Sequence, residues 1–268
     1  MRVPTLAADD LDIHYEVRGV GPRLLVFNGS GATIASSRVL IDFLAQSFEV
    51  LVHDQRGLGL TGLPSSPDSC TMASYAADGA ALLDHVGWPT ARIFGISFGG
   101  MVAQELAVTW PERVERLALL CTSPGGEGGS SYPLHELDGL VPDERARVWR
   151  QNLDTRFSSQ WLSSHPNDRA LVELASALEA SPKTPDQKQG ARLQLQARSR
   201  HDVWSRLHRI RCPTLVACGR YDGLAPPANS EAIVSRIPGS ELQRYEGGHL
   251  FVLQDQRALP EIVSFLSR

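Results

Sequence analysis

Short apolar segments alternate along the chain with longer segments in which apolar residues recur at helical spacing. This alternation is typical of a mostly parallel β-sheet that is covered by helices on both faces. The apolar runs predict strands at Leu11–Val17, Arg23–Phe27, Phe48–His53, Arg92–Ile96, Val114–Leu120, Thr214–Ala217 and Leu242–Tyr245. The amphipathic segments predict helices at Thr33–Gln46, Met72–Val86, Ser97–Thr109, Asn229–Arg236 and Asp255–Leu266.

One long segment interrupts this alternation. Between residues 122 and 211 the strand signal is lost and the pattern predicts helices around Glu144–Leu153, Ala170–Glu179 and Lys188–Arg198. An all-helical block inserted between two strands of one sheet is expected to cover the edge at which the sheet binds its ligand. The predicted organisation is a core domain of residues 1–121 and 212–268, with residues 122–211 inserted as a helical cap.

The amino-acid composition and net charge of the chain limit the classes of partner that it is expected to bind. With 42% hydrophobic and 21% charged residues among 268, the chain has the balance of an ordinary folded domain. Its formal net charge of -4 argues against a nucleic-acid or anionic-membrane partner, because either would draw on a clustered basic surface. Six arginines do fall between Arg192 and Arg211, but they are interleaved with apolar residues. We interpret them as the solvated side of helices.

The cysteines and the N-terminal segment bear on the compartment. The four cysteines form no CxxC pair and no Cys/His cluster with zinc spacing. The segment Met1–Val17 lacks the pattern of a signal peptide, and no run reaches the roughly 18 apolar residues that span a bilayer. These features predict a cytoplasmic protein with reduced thiols that acts on a small molecule.

The most informative motif places a serine between two glycines. The spacing Gly95-x-Ser97-x-Gly99 falls where a predicted strand ends and a predicted helix begins. The chain must reverse there within a residue or two, and the glycines remove side chains that would collide. The serine hydroxyl is then held at a helix N-terminus, where positive partial charge favours a developing anion. Ser97 is therefore the candidate nucleophile.

A serine nucleophile needs a base, and the base needs an acid to orient it. Of the eight histidines, only His249 follows a glycine pair on a loop at the carboxyl edge of the predicted sheet. Asp222 lies just past the strand Thr214–Ala217 and fits the chain order Ser, Asp, His. Glu246 is nearer to His249 in sequence. However, three residues of chain rarely bring a carboxylate to the imidazole face away from the serine, so Asp222 is the predicted acid.

Acyl transfer at a serine also needs donors for the oxyanion. One donor is expected to be the backbone N–H of Phe98, the residue after the nucleophile. The second is expected on the loop after the strand Arg23–Phe27, which reads Asn28-Gly29-Ser30-Gly31. Glycines on both sides let this backbone approach a substrate, so the N–H of Ser30 is the predicted second donor.

Taken together, these motifs resemble the α/β-hydrolase superfamily, and within it the capped branch of small-molecule esterases, lactonases and carbon–carbon bond hydrolases. The resemblance is carried over nearly the whole chain by Asp12–Glu16, Asp54–Gly59, Gly95–Gly100, Ile210–Val216, Gly219–Asp222 and Gly247–His249. The chain is more similar to enol-lactonases and haloperoxidase-like esterases than to lipases. Two features depart from the family pattern. Asn28-Gly29 stands where a His-Gly pair is common, and the predicted cap, residues 122–211, matches no family motif. Ser97 argues against dehalogenases and epoxide hydrolases, which use an aspartate.

The resemblance implies a serine hydrolase that cleaves a small-molecule ester, lactone or related activated carbonyl through an acyl-enzyme, without metal or organic cofactor. The alternatives are a carbon–carbon bond hydrolase, a cyclase or lyase, or a non-hydrolytic binding protein that uses the same pocket. In the predicted cap, Trp149, Phe157 and Trp161 are candidates to line an apolar pocket, which would favour hydrophobic substrates over charged ones.

Overall fold

A computed structural model describes residues 4–8 and 11–268 of the chain; residues 1–3, 9 and 10 of the predicted core domain lie outside the described residues. The strands are β1 (Thr5–Ala8), β2 (Leu11–Arg18), β3 (Arg23–Phe27), β4 (Glu49–His53), β5 (Ala91–Ile96), β6 (Val114–Leu120), β7 (Thr214–Gly219) and β8 (Glu241–Tyr245). Within the described residues they form one sheet of eight strands in the order β1-β2-β4-β3-β5-β6-β7-β8. β2 pairs antiparallel with β1 and β4, and every other neighbouring pair is parallel.

Helices connect the strands. They are α1 (Arg38–Leu44), α2 (Met72–His85), α3 (Phe98–Thr109), α4 (Pro142–Leu153), α5 (Ser159–Ser164), α6 (Pro166–Glu179), α7 (Pro185–Ser199), α8 (Pro227–Arg236), α9 (Phe251–Gln254) and α10 (Ala258–Ser267). The α/β fold class predicted from the sequence is confirmed. Among the described residues, no helix has both the length and the apolar character needed to cross a membrane.

The strands alternate their side chains between two apolar layers. On β3, Leu25 and Phe27 join the layer that contains α2 and α3, whereas Leu24 and Val26 join the layer that contains α1 and α10. Both faces of the central strands are therefore buried, which is why these strands read as continuous apolar runs rather than as a strict alternation.

The predictions for the first and the last helix differ from the structure by more than a few end residues. The segment predicted as one helix from Thr33 begins only at Arg38, because Thr33 and Ser36 accept hydrogen bonds from each other's backbone N–H through their hydroxyls. The final predicted helix is two helices, α9 and α10. Asp255 separates them and accepts the backbone N–H of Arg257 at 3.0 Å, in a turn that precedes the first residue of α10.

The inserted segment, residues 122–211, lies between β6 and β7 and contains helices α4 to α7. Its last part packs into the layer that holds α2 and α3, through Leu193, Ala197 and Val203. Its middle part forms a small separate apolar cluster around Leu153, Phe157 and Val172. The segment is thus anchored in the main core at one end while its middle part has an apolar cluster of its own.

A buried ion pair fixes the connection that follows β4. Arg56 donates from Nε and Nη2 to the two carboxylate oxygens of Asp78 on α2 at 2.6 and 2.7 Å, and both side chains are almost fully buried. The paired geometry compensates two charges that would otherwise be costly to bury.

We therefore expect Arg56→Met to lower the free energy of unfolding by about 3–5 kcal/mol, because it leaves the Asp78 carboxylate buried without its cation. Chemical denaturation measures this change. The matched control is Arg147→Met, since Arg147 is exposed and its pair with Glu144 lies on the surface. The control is expected to change stability by about 0.5 kcal/mol or less. Equal losses in the two variants would show that the buried pair has no special role.

Candidate active site

Ser97 is the single residue between the end of β5 and the start of α3. It has φ 55° and ψ −116°, a backbone conformation that a residue with a Cβ rarely adopts. Such a conformation costs about 1–3 kcal/mol and persists only where the surroundings enforce it. Here the N–H of Ser97 donates to the carbonyl of Leu120 at 2.8 Å, and the hydroxyl of Thr122 donates to the carbonyl of Ser97 at 2.9 Å.

The flanking glycines have the steric role that the motif predicts. A Cβ on Gly99 would collide with the backbone carbonyls of Phe27 and Asn28 at the end of β3. A Cβ on Gly95 would lie 2.5 Å from the carbonyl oxygen of Gly99. The first turn of α3 can therefore pack directly against β3, which brings Ser97 next to the loop after that strand.

His249 reaches Ser97 from the loop after β8. Its Nε2 lies 2.9 Å from Ser97 Oγ, and its side chain is only 11% exposed. Gly247 has φ 117°, and its carbonyl accepts the N–H of Tyr221 at 2.9 Å, so this loop is tied to the loop after β7. The turn that carries His249 needs a glycine because a side chain would disfavour this φ.

Asp222 completes a continuous chain of hydrogen bonds. Its Oδ2 lies 2.8 Å from His249 Nδ1, and its Oδ1 accepts the backbone N–H groups of Leu224 and Ala225 at 2.8 Å each. The carboxylate is fully buried, so these bonds hold it in one orientation. The alternative acid, Glu246, is more than half exposed and pairs with Arg220 at 3.2 Å. The structure therefore brings Asp222, and not Glu246, to the imidazole.

The two predicted oxyanion donors lie on elements that meet at Ser97. Phe98 is the first residue of α3, and Ser30 lies on the loop after β3. Within the described part of the chain, neither backbone N–H donates to a backbone or side-chain acceptor. The side-chain Oγ of Ser30 and Nδ2 of Asn28 are also buried without a partner. These unpaired polar groups mark a place where a polar ligand atom can bind.

The family model described as alpha/beta hydrolase fold matches residues 22–256. The chain belongs to the α/β-hydrolase fold family. A poly(3-hydroxyalkanoate) depolymerase from Ectopseudomonas oleovorans is 28% identical over 98% of this chain and 92% of its own length. The 3-oxoadipate enol-lactonase 2 of Acinetobacter baylyi is 27% identical over 97% of this chain and 94% of its own. A crystal structure of a hydrolase from Pseudomonas aeruginosa PA01 has a TM-score of 0.80 at 27% identity and covers 99% of this chain and 98% of that chain.

These matches confirm the family resemblance that the motifs indicate, including the similarity to an enol-lactonase. They also extend across the inserted segment, where no motif could be recognised in the sequence.

In this α/β-hydrolase fold protein, the loop after β3 is also held by a residue that sequence reasoning missed. Gln194 on α7 accepts the N–H of Gly31 through Oε1 at 2.7 Å and donates from Nε2 to Gln55 Oε1 at 2.9 Å. Gln55 in turn donates to the carbonyl of Asn28 at 2.8 Å. Gln194 and Gln55 are each 1% exposed. The inserted segment thus fixes both ends of the loop that carries Ser30.

The inserted segment also binds the loops of His249 and Asp222. The N–H of His249 donates to the carbonyl of Leu153 at 2.6 Å, and the N–H of Gly223 donates to the carbonyl of Asn152 at 3.1 Å. Asp154, which is fully buried, accepts a hydrogen bond from Gln254 at 3.0 Å. No sequence motif marks the first two contacts, because they use backbone carbonyls at the end of α4.

The aromatic residues proposed for the pocket lie in or beside the small apolar cluster. Phe157 is 1% exposed within that cluster, and Trp149 and Trp161 pack against it. Trp161 also stacks on His165 and donates its indole N–H to Asp168 at 2.7 Å. A cavity between the inserted segment and Met101 of the core is lined by other residues, most of which have polar side chains. A role of the three aromatics in substrate choice stays a prediction.

One group of side chains has the composition of a metal site. Atoms of Cys121, Asp222 and His249 that could act as ligands lie within 4.8 Å of one another. Burial raises the pKa of the Cys121 thiol well above its usual value, so this sulfur stays protonated and is a poor ligand. Asp222 and His249 already bind each other, and His249 also binds Ser97. The donor chemistry therefore fits a hydrogen-bonded triad better than a metal centre.

Hydrogen–deuterium exchange can test whether Gln194 holds the loop after β3. Gln194→Leu removes both the acceptor for Gly31 and the donor to Gln55, so we expect faster hydrogen–deuterium exchange at the amides of residues 28–31. The exposed Gln196→Leu on the same helix is the matched control, and it should leave this exchange unchanged. Equal protection of the loop in the wild type and in Gln194→Leu would show that the side chain does not hold it.

Proposed function

We propose that this chain is a serine hydrolase that cleaves a small-molecule ester or lactone through an acyl-enzyme. The observation that carries the proposal is the unbroken hydrogen-bonded chain from Ser97 Oγ through His249 to Asp222. A structural serine has no need of a strained backbone and an oriented imidazole together. The named activities of two relatives, an enol-lactonase and a depolymerase, agree with acyl transfer.

In the proposed first step, Ser97 Oγ attacks the carbonyl carbon while His249 Nε2 takes the hydroxyl proton. Asp222 accepts the Nδ1–H of His249, which fixes the tautomer in which Nε2 is a base and stabilises the imidazolium that forms. The oxyanion receives hydrogen bonds from the N–H groups of Phe98 and Ser30. Donors that the fold holds in position cost little reorganisation when charge develops.

The second half of the reaction reverses these roles. The imidazolium of His249 gives its proton to the leaving alkoxide, and the alcohol departs from the acyl-enzyme. Water then attacks the acyl carbonyl while His249 again acts as base. Collapse of the second tetrahedral intermediate releases the acid and restores the hydroxyl of Ser97.

The inserted segment acts in this proposal as a cap, with residues 1–121 and 212–268 as the catalytic core. Its hydrogen bonds to the loops of His249, Asp222 and Ser30 support a second role, which is to hold these loops in position. The cap would therefore organise the site as well as enclose the substrate.

A fluorophosphonate probe tests the nucleophile. We expect the probe to add covalently to the wild type and peptide mapping to place the adduct on Ser97. Ser97→Ala is expected to abolish both labelling and the hydrolysis of short nitrophenyl esters. Labelling that persists in Ser97→Ala would move the nucleophile elsewhere, and a folded wild type that is neither labelled nor active would favour a non-hydrolytic binding protein.

A pair of carboxylate variants tests the acid. Asp222→Asn keeps the shape of the side chain but favours the wrong imidazole tautomer, so turnover should fall by about 10⁴-fold. Glu246→Gln is the matched control, because its carboxylate pairs with arginines at the surface and should be dispensable. Steady-state kinetics on the two variants, with melting temperatures as the folding check, separates the two assignments. A large loss in Glu246→Gln with near-normal turnover in Asp222→Asn would reverse them.

A further inference from the structure

Arg198 lies near the end of α7, on the side of the inserted segment that faces the core. The interpretation of the arginines from Arg192 to Arg211 as a solvated surface is wrong for this residue, which is only 9% exposed. The reason is that α7 packs into the main core through Leu193 and Ala197, and Arg198 follows them on the same side of the helix.

The guanidinium of Arg198 has unused hydrogen-bonding capacity. Its Nη1 donates to the carbonyl of Tyr132 at 2.7 Å, whereas its Nε is buried without a partner. Among the described residues, no carboxylate forms an ion pair with it. Arg56, which is buried more deeply, instead binds both carboxylate oxygens of Asp78. Arg198 is therefore a buried cation that, among the described residues, no carboxylate binds directly.

This arrangement has an energetic cost. Burial lowers the pKa of Arg198 to about 10, and the negative charge of Asp222 opposes that shift. The side chain remains protonated at neutral pH, so its charge stays desolvated and incompletely compensated. A buried donor of this kind gains from a hydrogen-bond partner, which a ligand with an acceptor oxygen can supply.

A cavity of about 110 Å³ adjoins Arg198, and seven of its ten lining residues have polar side chains. Ser123 and Ser131 line it, with their hydroxyl oxygens 2.8 Å apart. His201 also lines it, and burial lowers the pKa of that imidazole to about 4, so the ring is neutral at pH 7. Arg198 is thus the positive charge at this cavity, and the hydroxyls add further hydrogen-bonding groups.

Two lining residues and one charge connect this cavity with the candidate triad. Met101, which lines it, lies on α3 four residues after Ser97. Ser123, which also lines it, directly follows Thr122, whose hydroxyl donates to the carbonyl of Ser97. Arg198 interacts electrostatically with Asp222, the carboxylate that binds His249.

We propose that Arg198 binds a carboxylate group of the substrate, so that the chain acts on esters or lactones that carry a free carboxylate a few carbons from the reacting carbonyl. The planar guanidinium matches the two oxygens of a carboxylate, and its free Nε edge offers parallel donors. This inference rests on the proposed hydrolase activity and specifies its substrate class. It differs from the expectation of an apolar pocket that favours hydrophobic over charged substrates, which stays a prediction.

Two para-nitrophenyl esters of equal length test the inference. The mono-ester of glutaric acid carries a terminal carboxylate, and the pentanoate ester has a methyl group in its place. We expect the wild type to prefer the glutarate ester by about 10- to 100-fold in kcat/KM, which is the effect of one hydrogen bond to a charged group. The difference should lie mainly in KM. Arg198→Met should abolish this preference, which is measured as the ratio of the two kcat/KM values within each variant, so that a general loss of activity does not affect it. Arg198→Lys keeps the charge but not the planar guanidinium, so it should retain only part of the preference for the glutarate ester. This variant provides the test if Arg198→Met does not fold.

The exposed Arg200→Met is the matched control and should keep the full preference. A wild type that prefers the pentanoate ester, or an Arg198→Met variant that keeps the glutarate preference, would overturn the inference while the hydrolase activity stands. Calorimetric titration of the wild type with glutarate and with its uncharged diamide separates the two proposals further. Binding of glutarate alone, lost in Arg198→Met, would support the carboxylate site even if neither ester were hydrolysed, in which case only the proposed activity would fail.

Discussion

The backbone of Ser97 is the constraint on which the site depends, because a residue with a side chain adopts φ 55° only when its neighbours enforce it. Leu120 and Thr122 bind its N–H and its carbonyl from the adjacent strand end. Gly99 lets α3 approach the end of β3 without collision. One strained turn thereby brings together the hydroxyl, the helix N-terminus and the loop after β3, which are the parts that acyl transfer requires.

The inserted segment is bound to this core more closely than a simple lid would be. Leu153, at the end of α4, accepts the N–H of His249, and Gln194, on α7, holds Gly31 and Gln55. Both contacts fall on loops that carry catalytic candidates, so displacement of the segment would disturb the site itself. In the proposed reaction, substrate recognition and the positioning of the catalytic groups would be coupled through the same helices. The proposed carboxylate site at Arg198, which also lies on α7, would link this coupling to the charge of the substrate.

Much of the fold could be predicted because central parallel strands are buried on both faces and read as apolar runs, as in Val114–Leu120. Ser97 could be found because its sharp turn requires glycines at positions 95 and 99. Asp222 and His249 could be found because each lies on a loop that directly follows a predicted strand. Other features left no such signal. The edge strand Thr5–Ala8 is too short and too exposed to show a pattern. Gln194 and Arg198 were missed because helical periodicity indicates which side of a helix is buried but not which polar partner a buried side chain meets.

The central claim is that catalysis passes through a covalent ester on Ser97, and one measurement addresses it directly. The wild type is mixed with para-nitrophenyl pentanoate, quenched in acid within the first turnover and weighed as an intact chain by mass spectrometry. The account predicts a transient species heavier by one pentanoyl group, with the added mass on the peptide that contains Ser97. Release of pentanoic acid at the normal rate, with no acylated chain at any time point and an unmodified Ser97 peptide throughout, would contradict it.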